Sequence, residues 1–164
     1  MVLVLMFSFC FSPFVEGKTF CPACPQEKYV PLGTELEKIG VEKKTVEGKD
    51  KIWITLKEDG IVREVGVFFF DPEDFGSQRV RSFLWGLQER YEDLRIVEGN
   101  IREERVRAIH EALAHLFAVP QKQREQTPCL FINGTVLVGE WEIIKGIEKT
   151  LSEGGVTKGK TPGY

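Results

Sequence analysis

The chain has 164 residues, 42% apolar and 29% charged, with a formal net charge of −3. Those totals fit one compact domain with a leader or a tail. Charges of both signs are interspersed, which excludes the basic stripe of a nucleic-acid-binding surface, and no internal repeat or low-complexity tract is present.

Residues 2–15 form an apolar run that ends at Phe14-Val15. It is shorter than the ~20 residues a spanning helix needs. It matches the apolar core of a signal peptide, with Val15 and Gly17 as small residues at the −3 and −1 positions, although no positive charge precedes it. Residues 1–17 are therefore read as a signal peptide or short anchor. That implies an exported, periplasmic or cell-envelope location, with membrane association through this segment if it is retained. Bulky Phe9 before Cys10 argues against a lipoprotein. Cleavage removes Cys10 and leaves Cys21, Cys24 and Cys129, so an oxidising compartment closes one pair and leaves one thiol.

Residues 18–50 read as an N-terminal extension, starting as a proline-rich loop with a short helix expected over Thr34–Ile39. Within it, Cys21-Pro22-Ala23-Cys24 is a C-x-x-C. Three meanings stay open: a redox-active pair, a structural disulfide, or half of a metal site that still lacks two ligands. Pro25 removes a backbone donor, so any helix after the motif is short or absent. Val41–Val46 has weak strand character. Ile52–Leu56, the turn Lys57-Glu58-Asp59-Gly60 and Ile61–Val65 predict a hairpin, expected as an addition to the main sheet.

The main domain is assigned to residues 51–152. Val67-Phe68-Phe69-Phe70 is wholly apolar, as suits a central strand buried on both faces. Asp71-Pro72-Glu73-Asp74 breaks it. Ser77–Tyr91 is helical, with Val80, Phe83, Leu84, Leu87 and Tyr91 on one face and Asp74 or Ser77 as its cap. Leu94–Val97 is the next strand. Asn100 and Glu103 resemble a capping box for a helix running to about Ala118, with Val106, Ile109, Leu113, Leu116 and Phe117 inward. Pro120 ends it. Thr127-Pro128-Cys129-Leu130-Phe131-Ile132 is a strand opened by a proline. Asn133-Gly134 predicts a two-residue hairpin to Thr135–Val138, because both turn positions need φ > 0. A last helix carries Trp141, Ile144, Ile147 and Leu151, with Trp141 taken as core. Residues 153–164 read as a flexible tail. The order from residue 61 is β-α-β-α-β-β-α, with a parallel, right-handed first crossover.

Residues 61–151 resemble the thioredoxin-like superfamily, in particular small bacterial and archaeal thioredoxin-like or glutaredoxin-like proteins. The resemblance rests on Phe68-Phe69-Phe70-Asp71-Pro72-Glu73, on Leu116-Phe117-Ala118-Val119-Pro120, and on Thr127-Pro128 leading into the hairpin. It implies an α/β three-layer fold with an N-terminal extension, and a cis Thr127–Pro128 bond beside the site. The family's C-x-x-C positions fall on Asp74, Phe75, Gly76 and Ser77, so both cysteines are missing. A carboxylate at Asp74 can cap a helix but cannot exchange disulfides, and Ser77 has no redox chemistry.

Two functions follow. The first is an exported protein linked to thiol–disulfide exchange. Its catalytic pair would be Cys21 and Cys24, and its partner a protein or peptide thiol or disulfide. The alternative is a redox-inactive module that binds a peptide or partner, with Thr127, Pro128 and Asp74 to Ser77 lining the groove. Cys129 is expected in the core, or else paired with Cys21 or Cys24. No cofactor or resident metal is expected. His110-Glu111-Ala112-Leu113-Ala114-His115 has H-E-x-x-x-H spacing, which turns the second histidine about 140° from the first and spoils a zinc site. Asn133-Gly134-Thr135 fits a glycosylation sequon but is explained by the turn.

Overall fold

The computed structural model describes residues 30–31, 38–46, 48–91 and 93–154. The leader, Cys21, Cys24 and the tail beyond Gly154 lie outside the described residues.

The central strand is β5 (Gly66–Phe70), buried along its whole length. Its side chains alternate, so Phe68 and Phe70 enter one apolar cluster while Val67 and Phe69 enter another. β6 (Ile96–Asn100) pairs with it in parallel, and β7 (Cys129–Ile132) pairs antiparallel on the other side. β8 (Thr135–Val138) closes a hairpin with β7. The turn between them has φ 49° at Asn133 and φ 70° at Gly134, the pair of positive values that Asn-Gly supplies. β1 (Val30–Pro31) adds a short parallel edge beside β6, giving the order β1-β6-β5-β7-β8.

Helices α1 (Phe75–Arg90) and α3 (Glu140–Glu153) cover one face. Val80, Leu84 and Leu87 of α1 meet Ile143, Ile147 and Leu151 of α3 over Phe68 and Leu130. Helix α2 (Glu104–Leu116) covers the other face through Val106, Leu113 and Ala114. The succession β5-α1-β6-α2-β7-β8-α3 in three layers is a thioredoxin-like α/β fold.

Several expectations are corrected. The hairpin at 52–65 does not extend the main sheet. It forms a separate antiparallel sheet from β2 (Ile39–Val46), β3 (Lys49–Glu58) and β4 (Ile61–Glu64). Ile54 and Leu56 of β3 sit in the α2-side cluster, so this sheet lies face-on against the core. Ile39 starts β2, and the other residues of the expected 34–39 helix lie outside the description except for a single 3₁₀ residue at Lys38. The strand expected at 94–97 runs instead over 96–100. Asn100 does not cap α2: its Oδ1 accepts from the Arg102 N–H at 3.0 Å in a turn, and Glu103 is the N-cap residue. Helix α2 stops at Leu116, which is exposed, and Phe117 packs on Phe131 instead. Trp141 is not core but 71% exposed, because Ile143, Ile147 and Leu151 define the buried stripe and Trp141 falls on the opposite side.

Candidate functional site

The site is built where β5 ends and β7 begins. Phe69 pairs with Cys129 in the β5–β7 ladder, so Pro128 stands beside the end of β5. The Thr127–Pro128 peptide bond is cis. The Pro128 carbonyl accepts from the Gly139 N–H at 2.8 Å, which ties this end of β7 to the start of α3. Thr127 is half-buried, and no hydrogen bond engages its backbone among the described residues.

Beyond Phe70 the chain turns through Asp71-Pro72-Glu73-Asp74 into α1. Asp71 Oδ1 accepts from the Glu73 N–H at 2.9 Å, which sets the turn. Asp74 is the N-cap of α1, and its Oδ2 accepts from the Ser77 N–H at 2.7 Å. That backbone hydrogen bond, helped by the Ser77 hydroxyl, holds the Asp74 carboxyl below the usual aspartate range. Asp74 is therefore a fixed acceptor at neutral pH, not a proton donor. Ser77 is fully buried and its Oγ accepts from the Asp71 N–H at 3.3 Å. Gly76 allows a close approach: a Cβ there would lie 3.1 Å from Glu140 Oε2 and 3.2 Å from Asp74 Oδ2. Phe75, between Asp74 and Gly76, is 86% exposed.

The fold thus brings Asp74, Phe75, Gly76, Ser77, Thr127 and Pro128 to one end of the sheet. Cys129 is next to Pro128 in sequence but faces away, into the α2-side cluster, and is 1% exposed. Burial, reinforced by the nearby Glu142 charge, pushes its thiol up to about 12. Such a thiol is protonated and enclosed, so it is no nucleophile. The described residues supply no other cysteine.

Three contributors escaped the sequence reading. Arg102, from the loop after β6, donates through Nε to Asp71 at 2.9 Å and through Nη1 to Glu73. Arg79 Nη2 meets Glu140 Oε2 at 2.7 Å, linking α1 to α3. Trp141 follows Glu140 on the surface. The signal for Arg102 was available, because parallel β5 and β6 deliver their following loops to the same end of the sheet.

The two histidines part as their spacing requires. His110 is buried, with its ring 4.8 Å from Phe69. Burial lowers its pKa, so it stays neutral. His115 is on the surface, where its ring contacts Arg124. Among the described residues no cluster of three metal-ligating side chains occurs, and no helix is long and apolar enough to cross a membrane.

No protein-family model matches the chain, and no curated protein matches it. Among solved structures, a buckwheat glutaredoxin in complex with glutathione is similar at 22% identity and a TM-score of 0.39, over 56% of this chain and 79% of that one. A likeness that loose says nothing about activity. The thioredoxin-like assignment of this chain stands on its own strand order and layers.

Proposed function

We propose that this chain is a thioredoxin-fold module that holds an extended segment of a protein partner at the Pro128 end of its sheet, without thiol chemistry at the start of α1. The carrying observation is the unspent backbone of Thr127, a donor and an acceptor at a strand start with no partner among the described residues. Unpaired strand groups are what an added peptide strand uses. Phe75 stands exposed at the same end of the sheet. Asp74 and Ser77 take the places of the family cysteines, and their interactions are those of a helix cap. The test is amide-shift mapping of the labelled full chain against a pool of unstructured decapeptides. Shifts confined to residues 71–77, 127–129 and 139–141 are expected. Shifts elsewhere, or none, sink the proposal.

A second reading keeps exchange chemistry with Cys21 as attacking and Cys24 as resolving thiol. It is favoured by β1, which fastens the chain shortly after Cys24 to the edge of β6. Export, inferred from the apolar run at 2–15, suits a disulfide. A redox titration of the secreted chain separates the two. A Cys21–Cys24 potential of about −120 to −270 mV is that of an exchange catalyst, and one below about −300 mV is structural.

A further inference from the structure

The starts of α1 and α3 carry the two most exposed large aromatics among the described residues, Phe75 and Trp141. They flank one ion pair. Gly76, next to Phe75, approaches Glu140, next to Trp141, and Arg79 one turn into α1 binds that same Glu140. The other phenylalanines among the described residues lie in, or pack against, the two buried clusters. A phenylalanine left in water forgoes the gain of burying its ring. Aromatic side chains held outside a core are the residue types that anchor partners.

The surroundings are acidic. On the α1 side Asp71 and Glu73 share one cation, Arg102, while the Asp74 carboxylate accepts from the Ser77 N–H. On the α3 side Glu140 is matched by Arg79, whereas among the described residues Glu142 accepts only from the Val138 N–H at 3.3 Å. Among the described residues five carboxylates stand around the aromatic pair against three cations, Arg79, Arg102 and Lys145, so the local balance is negative. Lys145 already lies 3.9 Å over the Trp141 ring, which shows that this ring accepts a cation.

We infer that the segment taken at this end of the sheet carries an apolar side chain flanked by lysine or arginine. Phe75 and Trp141 grip the apolar side chain, and the carboxylate rim selects the basic flanks. The inference rests on the peptide-holding reading above and goes further by naming the chemistry of the occupant.

Three synthetic decapeptides of equal length test it on the full chain. One has a central leucine flanked by lysines, one the same leucine flanked by glutamates, and one a central serine flanked by lysines. The lysine–leucine peptide is expected to bind about tenfold or more tighter than either other peptide, with the charge preference shrinking in salt. Phe75→Ser and Trp141→Ser are each expected to weaken it about tenfold, the scale of an aromatic anchor. Both side chains are exposed, so the variants keep the fold. Equal binding of the lysine and glutamate peptides at the Pro128 end overturns the inference but leaves the peptide-holding reading standing. So does binding untouched by the two substitutions. If none of the three shifts the amides of this end, both fail. A concentration-dependent dimer abolished by the same substitutions assigns the face to a second copy and also overturns it.

Discussion

Replacing Arg81 by methionine isolates one buried carboxylate and tests the electrostatics that seat α1 on the sheet. Glu98 of β6 has a side chain only 2% exposed. Arg81 Nε donates to its Oε2 at 2.7 Å, and the Trp85 indole N–H donates to its Oε1 at 2.7 Å. The guanidinium lies 4.7 Å from the centre of the Phe70 ring and 4.9 Å from that of Trp85. Burial pushes the Glu98 carboxyl above its ordinary value, and Arg81 pulls against that rise. Methionine keeps much of the apolar stem between the rings and removes the charge. A lone buried carboxylate then takes up a proton instead of staying ionised.

The cost of that proton is set by pH. In the unfolded chain the group titrates near the ordinary glutamate value of 4.5. Keeping it protonated in the folded protein costs about 1.4 kcal/mol for each pH unit above that value, so the ceiling is about 3.4 kcal/mol at pH 7 and about 0.7 kcal/mol at pH 5. The sign follows from a raised folded pKa. Between the two values the folded state binds more protons, so stability falls as pH rises. The pH 7 figure is also in the range for breaking a buried ion pair from one side. Urea unfolding of the full chain at both pH values, followed by circular dichroism, measures the loss. Adding Glu98→Gln should recover most of it, because a neutral amide still accepts from Trp85. A loss under about 0.5 kcal/mol at pH 7, as for an exposed pair, or an equal loss at the two pH values, refutes the reasoning.

Asp74→Ala should cost about 0.5–2 kcal/mol at pH 7, the worth of an N-cap, while Asp74→Asn should cost less. Because the folded carboxyl is depressed, that difference is present above the unfolded value of 3.8 and fades as pH falls through the folded one, which acid titration of the two unfolding midpoints checks. Cys129 should resist alkylation at pH 8 until denaturant is added, since a thiol near 12 is about one part in ten thousand thiolate. Peptide mapping of the label reads this, and labelling at the rate of a free cysteine contradicts the burial. Phe131→Ala should cost about 3–5 kcal/mol in urea unfolding, because the fully buried ring meets both Phe69 and Phe117. A loss below about 1 kcal/mol would mean that the α2-side cluster does not hold the fold together.

The main sheet was legible because its signals are local. Three consecutive phenylalanines between a glycine-bounded strand and an Asp-Pro break allow few other readings, and Asn133-Gly134 needs no partner to declare a turn. The Asp74 cap was legible for the same reason. What escaped depends on contacts between segments far apart in the chain. Alternation in residues 52–65 identifies strands but is the same whether they join a sheet edge or lie across its face. Only the burial of Ile54 and Leu56 against β7 decides it. β1 is a two-residue strand, too short for a periodic signal. Trp141 was misread because Ile143, Ile144 and Ile147 allow two apolar stripes on α3, and large apolar size alone does not choose between them. Asn100 and Glu103 have the residue types of a capping box, but the Asn100 side chain is spent on the Arg102 N–H.

Asp74 changes what a thioredoxin-like helix start can do, and it does so through one hydrogen bond. Free N–H groups and the positive end of a helix stabilise any anion placed against them. A cysteine there gains acidity from that field and becomes reactive. A carboxylate is charged at neutral pH without help, so the same field gives stability and no reactivity. Once Asp74 Oδ2 has taken the Ser77 N–H, a second anion arriving at the helix start meets a negative charge in the place of a free donor. Neutral or cationic groups incur no such repulsion. Under the proposed function, the same carboxylate also biases the peptide that can approach, in the direction set by Glu140, whose carboxylate comes near Gly76 as that of Asp74 does. Asp74→Asn separates the two effects. The amide oxygen still caps α1, the charge is gone, and tolerance of a glutamate-flanked peptide should rise while the fold is kept.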